Sequence, residues 1–115
     1  MTIEERFVGG VVILDIDGRI GEDDADEFHL CVQDALSRGR RRIVLNVAAV
    51  PYLDSTALGE IARAYTSASR LGGTVKLLHV CPRVQQLLAI TRLDRVLESF
   101  DGEESAVRSF DVPAA

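Results

Sequence analysis

Residues 42–80 place one long helical repeat between two short apolar runs, and few topologies accommodate that order. Arg42-Ile43-Val44-Leu45-Asn46-Val47 and Thr74-Val75-Lys76-Leu77-Leu78-His79-Val80 have strand length and are rich in β-branched residues. Between them Leu58, Ile61, Ala62, Tyr65, Ala68 and Leu71 recur at spacings of three and four, predicting one apolar side of a helix from Asp54 to Leu71 that Gly72-Gly73 closes. Pro51 limits how far the first run extends. Short strands joined by a long helix are the pattern of a parallel pair with a right-handed crossover. His79 falls inside the second predicted strand, as a buried or strand-end histidine.

The flanking segments extend this unit. Ile3–Phe7 and Val11–Ile16 read as two strands of a hairpin turning at Gly9-Gly10. Glu22-Asp23-Asp24-Ala25-Asp26-Glu27 has the acidic excess of a helix first turn, and Ala25, Phe28, Cys31 or Val32, Ala35 and Leu36 form that helix's apolar side up to Gly39. Pro82 suits the first position of a third helix, with Val84, Leu87, Leu88 and Thr91 on one side. Val96–Phe100 is expected to be a short last strand and Glu103–Phe110 a final weak helix, with a flexible tail over 110–115. At 115 residues the chain is expected to form a single domain, 1–115, of the α/β class.

Composition narrows the function classes. The net charge of −5 argues against binding a nucleic-acid backbone, and Arg38, Arg40, Arg41 and Arg42 read as cations at a helix C-terminus. No apolar run reaches the roughly 20 residues that span a bilayer, and Met1–Arg6 lacks the features of a signal peptide, so a cytoplasmic location is expected. Cys31 and Cys81 have no CxxC spacing and are expected to be buried, reduced thiols. No G-x-S-x-G elbow, Gly-rich phosphate loop or zinc motif is present, and His29 and His79 are the only histidines, so catalysis by this chain is not expected.

The chemistry concentrates in Leu53-Asp54-Ser55-Thr56-Ala57-Leu58-Gly59. Here a turn delivers hydroxyls to a helix start, where free backbone N–H groups and the helix dipole favour an oxygen ligand or a phosphate. Ser and Asp at such a position are most often caps. Ala57, Glu60, Ala64 and Ser67 lie on a second, mostly small stripe of the same helix and are expected to face a partner protein.

Asp54-Ser55-Thr56-Ala57-Leu58-Gly59, after a hydrophobic strand and opening a helix that closes at Gly-Gly, resembles the signature segment of STAS domains of the anti-sigma factor antagonist type. The likeness extends from the early strands to the helix that begins Pro82-Arg83-Val84. It departs at Ala57, where the family usually has Gly, placing a methyl group on the expected contact stripe. The resemblance implies a mixed sheet of four or five strands with helices mainly on one face. It implies a bacterial partner switch in which the unphosphorylated chain binds an anti-sigma factor with serine-kinase activity. Phosphorylation of Ser55, with Thr56 as a secondary acceptor, ends that interaction, and a metal-dependent serine phosphatase restores it. Asp54 would position the loop, with Asp54, Ser55, Thr56, Ala57, Glu60 and Ala64 at the contact. ATP belongs to the kinase, so no cofactor is expected. The alternatives are a STAS subunit of a membrane transporter or sensory scaffold that phosphate does not switch, and a small-ligand module using the same helix start.

Overall fold

The computed structural model describes residues 1–51 and 53–111. Five strands form one mixed sheet: β1 (Thr2–Val8), β2 (Val11–Asp17), β3 (Arg42–Ala49), β4 (Thr74–Leu78) and β5 (Ser99–Phe100). Their order across the sheet follows the chain, β1-β2-β3-β4-β5. The first pair is antiparallel and the others are parallel. Helices α1 (Ala25–Ser37), α2 (Ser55–Arg70) and α3 (Pro82–Thr91) are the three crossovers, and α4 (Glu103–Ser109) follows β5.

This order explains where the helices lie. Each crossover steps to the next strand in the same direction, and right-handed connections then place all three helices on one face. The main core lies there, with Val12, Leu14 and Ile16 of β2 and Ile43, Leu45 and Val47 of β3 against Phe28, Val32, Ile61, Ala64, Val84 and Leu88 of the helices. On the opposite face Val11, Ile13, Val44 and Leu78 pack against Ala106 of α4. The central strands β2, β3 and β4 are therefore buried on both sides, and so read as near-continuous apolar runs rather than alternating ones.

Polar groups tie α4 to that second face. Lys76 of β4 is 6% exposed. Its ammonium donates to Ser109 Oγ at 2.8 Å, pairs with Glu98 at 3.4 Å and lies 4.4 Å from the Phe110 ring. Phe110 and Asp111, expected in a tail, are thus engaged: Asp111 pairs with Arg42 at 2.9 Å. Residues 112–115 of that tail lie outside the described residues. Nearby, Arg6 of β1 donates through Nε to Asp15 Oδ2 and through Nη2 to Asp15 Oδ1 at 3.0 Å and to Glu103 at 2.7 Å, while Asn46 donates to Asp15 at 2.7 Å. The Arg6 guanidinium therefore holds the Asp15 carboxyl below the usual carboxylate range, against the opposing effect of partial burial, with Asn46 assisting.

A carboxylate with a lowered native pKa contributes stability that is fully present above its unfolded pKa of about 3.9 and is lost as pH falls through the native value. Asp15→Asn is expected to cost about 1–2 kcal/mol at pH 7, discounted for partial solvent screening. That difference from the wild type should shrink in urea titrations as pH falls below about 4. An equal penalty at pH 7 and pH 3 would show that the carboxylate charge contributes nothing.

Several sequence expectations need correction. His79 is outside β4, exposed, with a left-handed φ of 62°. Its N–H still reaches Phe100 O at 2.9 Å, so the chain leaves the sheet by turning at this residue. The last strand is only Ser99–Phe100, because Leu93–Arg95 forms a 3-10 turn ahead of it. Thr91 is exposed and donates back to Leu87 O at 2.8 Å. Both cysteines are free thiols, yet Cys81 is exposed and Cys31 half-buried. Burial raises the Cys31 thiol pKa, with Glu5 next in effect. Among the arginines, Arg41 donates to Leu36 O at the end of α1 at 3.0 Å, as expected of a C-terminal cation.

Two glycines differ in what they permit. A methyl group on Gly73 would stand 2.8 Å from the Arg41 carbonyl oxygen and 3.2 Å from Arg41 Cα, both backbone atoms. On Gly59, within α2, it would meet nothing within 4 Å. Gly73→Ala is therefore expected to destabilise by about 1–3 kcal/mol. Gly59→Ala should stabilise by about 0.5–1 kcal/mol through helix propensity. Chemical denaturation of the two variants gives the opposite signs directly.

Candidate functional site

β3 ends at Ala49, and residues 50–54 carry the chain to the start of α2. Val50 and Leu53 are buried and Pro51 is exposed, so apolar anchors on each side fix where the helix begins. Asp54 is the N-cap: its backbone is extended and its Oδ1 accepts the Ala57 N–H at 2.9 Å. Its other oxygen lies 3.4 Å from Arg19 Nη2. The Ala57 N–H, with a smaller contribution from Arg19, holds the Asp54 carboxyl below its usual pKa despite partial burial, so it is ionised at neutral pH.

Because Asp54 performs the capping, the next hydroxyl is not needed for it. Ser55 is the first helical residue, and it is exposed. The cap interpretation of the serine therefore gives way at this point to an accessible hydroxyl at a helix N-terminus. Thr56 is half-buried and lines a polar hollow of about 430 Å³ with Arg19, Glu22, Asp23, Asp24 and Asp54. On the other side of Asp54, an apolar groove of about 400 Å³ is lined by Pro51, Leu53, Cys81, Arg83, Val84 and Leu87. The site thus has an acidic flank and an apolar flank.

The expected contact stripe on α2 does not survive. Ala57 is 0% exposed and Ala64 2%, both part of the main core. Leu71, expected on the apolar side, is instead 52% exposed. Glu60 is half-buried, with Arg63 3.8 Å from its Oε1. The buried residues are Ala57, Leu58, Ile61, Ala64 and Ala68, so Leu58, Ile61 and Ala68 lie inside as expected, and the outward line from Ser55 continues through Gly59, Arg63 and Thr66. The Ala57 methyl consequently points into the core and leaves the surface around Ser55 unchanged. Arg19 was not legible as part of this site, since it lies 35 residues from Asp54 in a turn without local signal. Gly59 was visible in the motif but not as an outward neighbour of Ser55.

The acidic residues at 22–24 form a 3-10 turn leading into α1, and among the described residues no group of three or more potential ligands is placed to hold a metal ion. No helix among the described residues is long and apolar enough to cross a membrane.

Comparison with known proteins places the fold and the family. An anti-sigma F factor antagonist of Paenibacillus polymyxa is 26% identical over 113 residues, covering 97% of each chain. A candidate anti-sigma factor antagonist of Thermotoga neapolitana is 34% identical over 97 residues, covering 84% of this chain and 86% of its own. The crystal structure of a candidate anti-sigma factor antagonist of Thermotoga maritima superposes with a TM-score of 0.87 at 29% identity, covering 96% of this chain and 95% of the other. The STAS domain model matches residues 2–106, from the first strand into α4. With that match over nearly all of its strands and helices, the chain belongs to the STAS domain family.

Proposed function

We propose that the chain is an anti-sigma factor antagonist that works as a partner switch in bacterial transcription control. In its unphosphorylated form it binds an anti-sigma factor with serine-kinase activity and so frees a sigma factor. Phosphorylation of Ser55 by that kinase ends the interaction, and a serine phosphatase restores it. The observation that carries this reading is the division of labour at the start of α2: Asp54 caps the helix and Ser55 stands exposed beside it.

The contact surface in this reading differs from the stripe expected from sequence. It comprises Asp54, Ser55 and Thr56, the outward residues Gly59 and Arg63, and the apolar groove bordered by Pro51 and Leu87. Ala57 and Ala64 support it from beneath. Glu60 sits at its margin.

Affinity capture from lysate of the native cell tests the reading, with Ser55→Ala and Ser55→Asp proteins as baits. Retention of a kinase by the Ala bait and its loss from the Asp bait is expected. Retention of the same transporter or scaffold proteins by both baits would instead favour a STAS subunit that phosphate does not switch.

A further inference from the structure

We infer that β1 is a self-pairing edge through which two copies of this chain join their sheets across a twofold axis, independently of the Ser55 site. β1 lies at one end of the strand order and pairs only with β2. Gly9 and Gly10, with φ of 55° and 80°, form a two-residue type I′ turn between Val8 and Val11. In such a hairpin the flanking pair exchanges hydrogen bonds. By alternation Val8, Arg6, Glu4 and Thr2 spend their backbone groups on β2. Ile3, Glu5 and Phe7 therefore turn theirs to the open edge.

A twofold axis normal to the sheet places a residue opposite its own copy, and the outward set is centred on Glu5. With Glu5 opposite Glu5, Ile3 faces the Phe7 of the second copy, and every outward N–H and C=O of the three residues is paired. The side chains agree with this register on both faces. Phe7 is 54% exposed on the open edge, and the apolar Ile3 of the second copy would cover it. On the other face Glu4, which is exposed and has no ion-pair partner among the described residues, comes opposite Arg6, a cation that Asp15 and Glu103 of its own chain already engage. Each Glu5 carboxylate that meets its copy there accepts from Arg38 of its own chain at 2.7 Å, a guanidinium shared with Asp34 at 2.9 Å. Neighbouring twofold registers lack this complementarity: centring on Glu4 sets Ile3 against Glu5, and centring on Arg6 sets Glu5 against Phe7. A long edge strand with outward backbone groups unpaired is a template for β-addition, and in this register its own copy pairs them all.

The test is sedimentation velocity and amide hydrogen exchange on the full chain, from about 1 µM to about 1 mM protein. A reversible dimer is expected at the upper end. The amides of Ile3, Glu5 and Phe7 should gain protection with concentration, while those of Glu4 and Arg6 are protected throughout. Glu4→Arg, at an exposed position, should weaken the dimer at least tenfold and leave the monomer's thermal unfolding unchanged. A chain that stays monomeric at the upper concentration overturns the inference. So does a dimer whose concentration-dependent protection falls elsewhere than on these three amides.

Discussion

Ser55→Asp is expected to lower affinity for the kinase partner by at least ~100-fold, about 2.7 kcal/mol, with the melting temperature of the isolated chain rising by no more than about 4 °C. Two effects of opposite sign meet at this residue, and their sizes decide the outcome. Within the chain, a negative charge at the first helical position is favoured by the dipole of α2 by roughly 0.3–1 kcal/mol when exposed. Across an interface, the same charge must be desolvated next to the Asp54 carboxylate, and like-charge placement costs several kcal/mol, on the order of 2–5. The fold therefore tolerates the charge and the complex does not. Calorimetric titration of a purified partner with wild type, Ser55→Ala and Ser55→Asp separates these effects, with Ala binding like the wild type. A bound phosphate carries more charge than Asp, about −1.5 to −2, so the modified protein should be at least as strongly excluded.

Ala64→Glu is expected to destabilise the chain by about 3–5 kcal/mol, lowering the melting temperature by about 10 °C or more. Ala64 is 2% exposed within the main core, so a carboxylate there would be buried among apolar side chains. Ser69→Glu, on an exposed position of the same helix, should change stability by less than about 0.5 kcal/mol. If Ala64→Glu melted like the wild type and lost only partner binding, α2 would have to be rotated from the position described here.

That rotation marks the limit of what the sequence conveyed. The order of strands and helices was legible because each element carries its own period and its own punctuation: Gly9-Gly10 between β1 and β2, Gly72-Gly73 after α2, Pro82 at the start of α3. The face of α2 was less legible. Leu58, Ile61 and Ala68 of the expected stripe are buried and Tyr65 packs at the core's margin, but Ala57 and Ala64 turn the buried face by roughly 35° from the stripe that ended at Leu71. Alanine has no polarity that distinguishes a surface from a close packing contact, and α2 packs against both the sheet and α1. Small residues there let the backbones approach. The motif located Ser55 correctly at the helix start, but only three-dimensional geometry shows that Asp54 takes the capping role. His79 misled for a related reason: an apolar run gives no sign of where the backbone turns out of a sheet.

The uneven covering of the sheet also says where this molecule opens first. Three helices of ten to sixteen residues seal one face, whereas the other is closed by the seven residues of α4. Local openings begin where little apolar surface must be exposed, and α4 can lift without disturbing α1, α2 or α3. The Lys76 ammonium gives that opening its own driving force, because water would hydrate a charge now held by Ser109, Glu98 and the Phe110 ring. Helix α4 thus behaves as a latch on β2, β3 and β4, and hydrogen exchange of its own amides, faster than in α1, α2 and α3, reports how often the latch lifts.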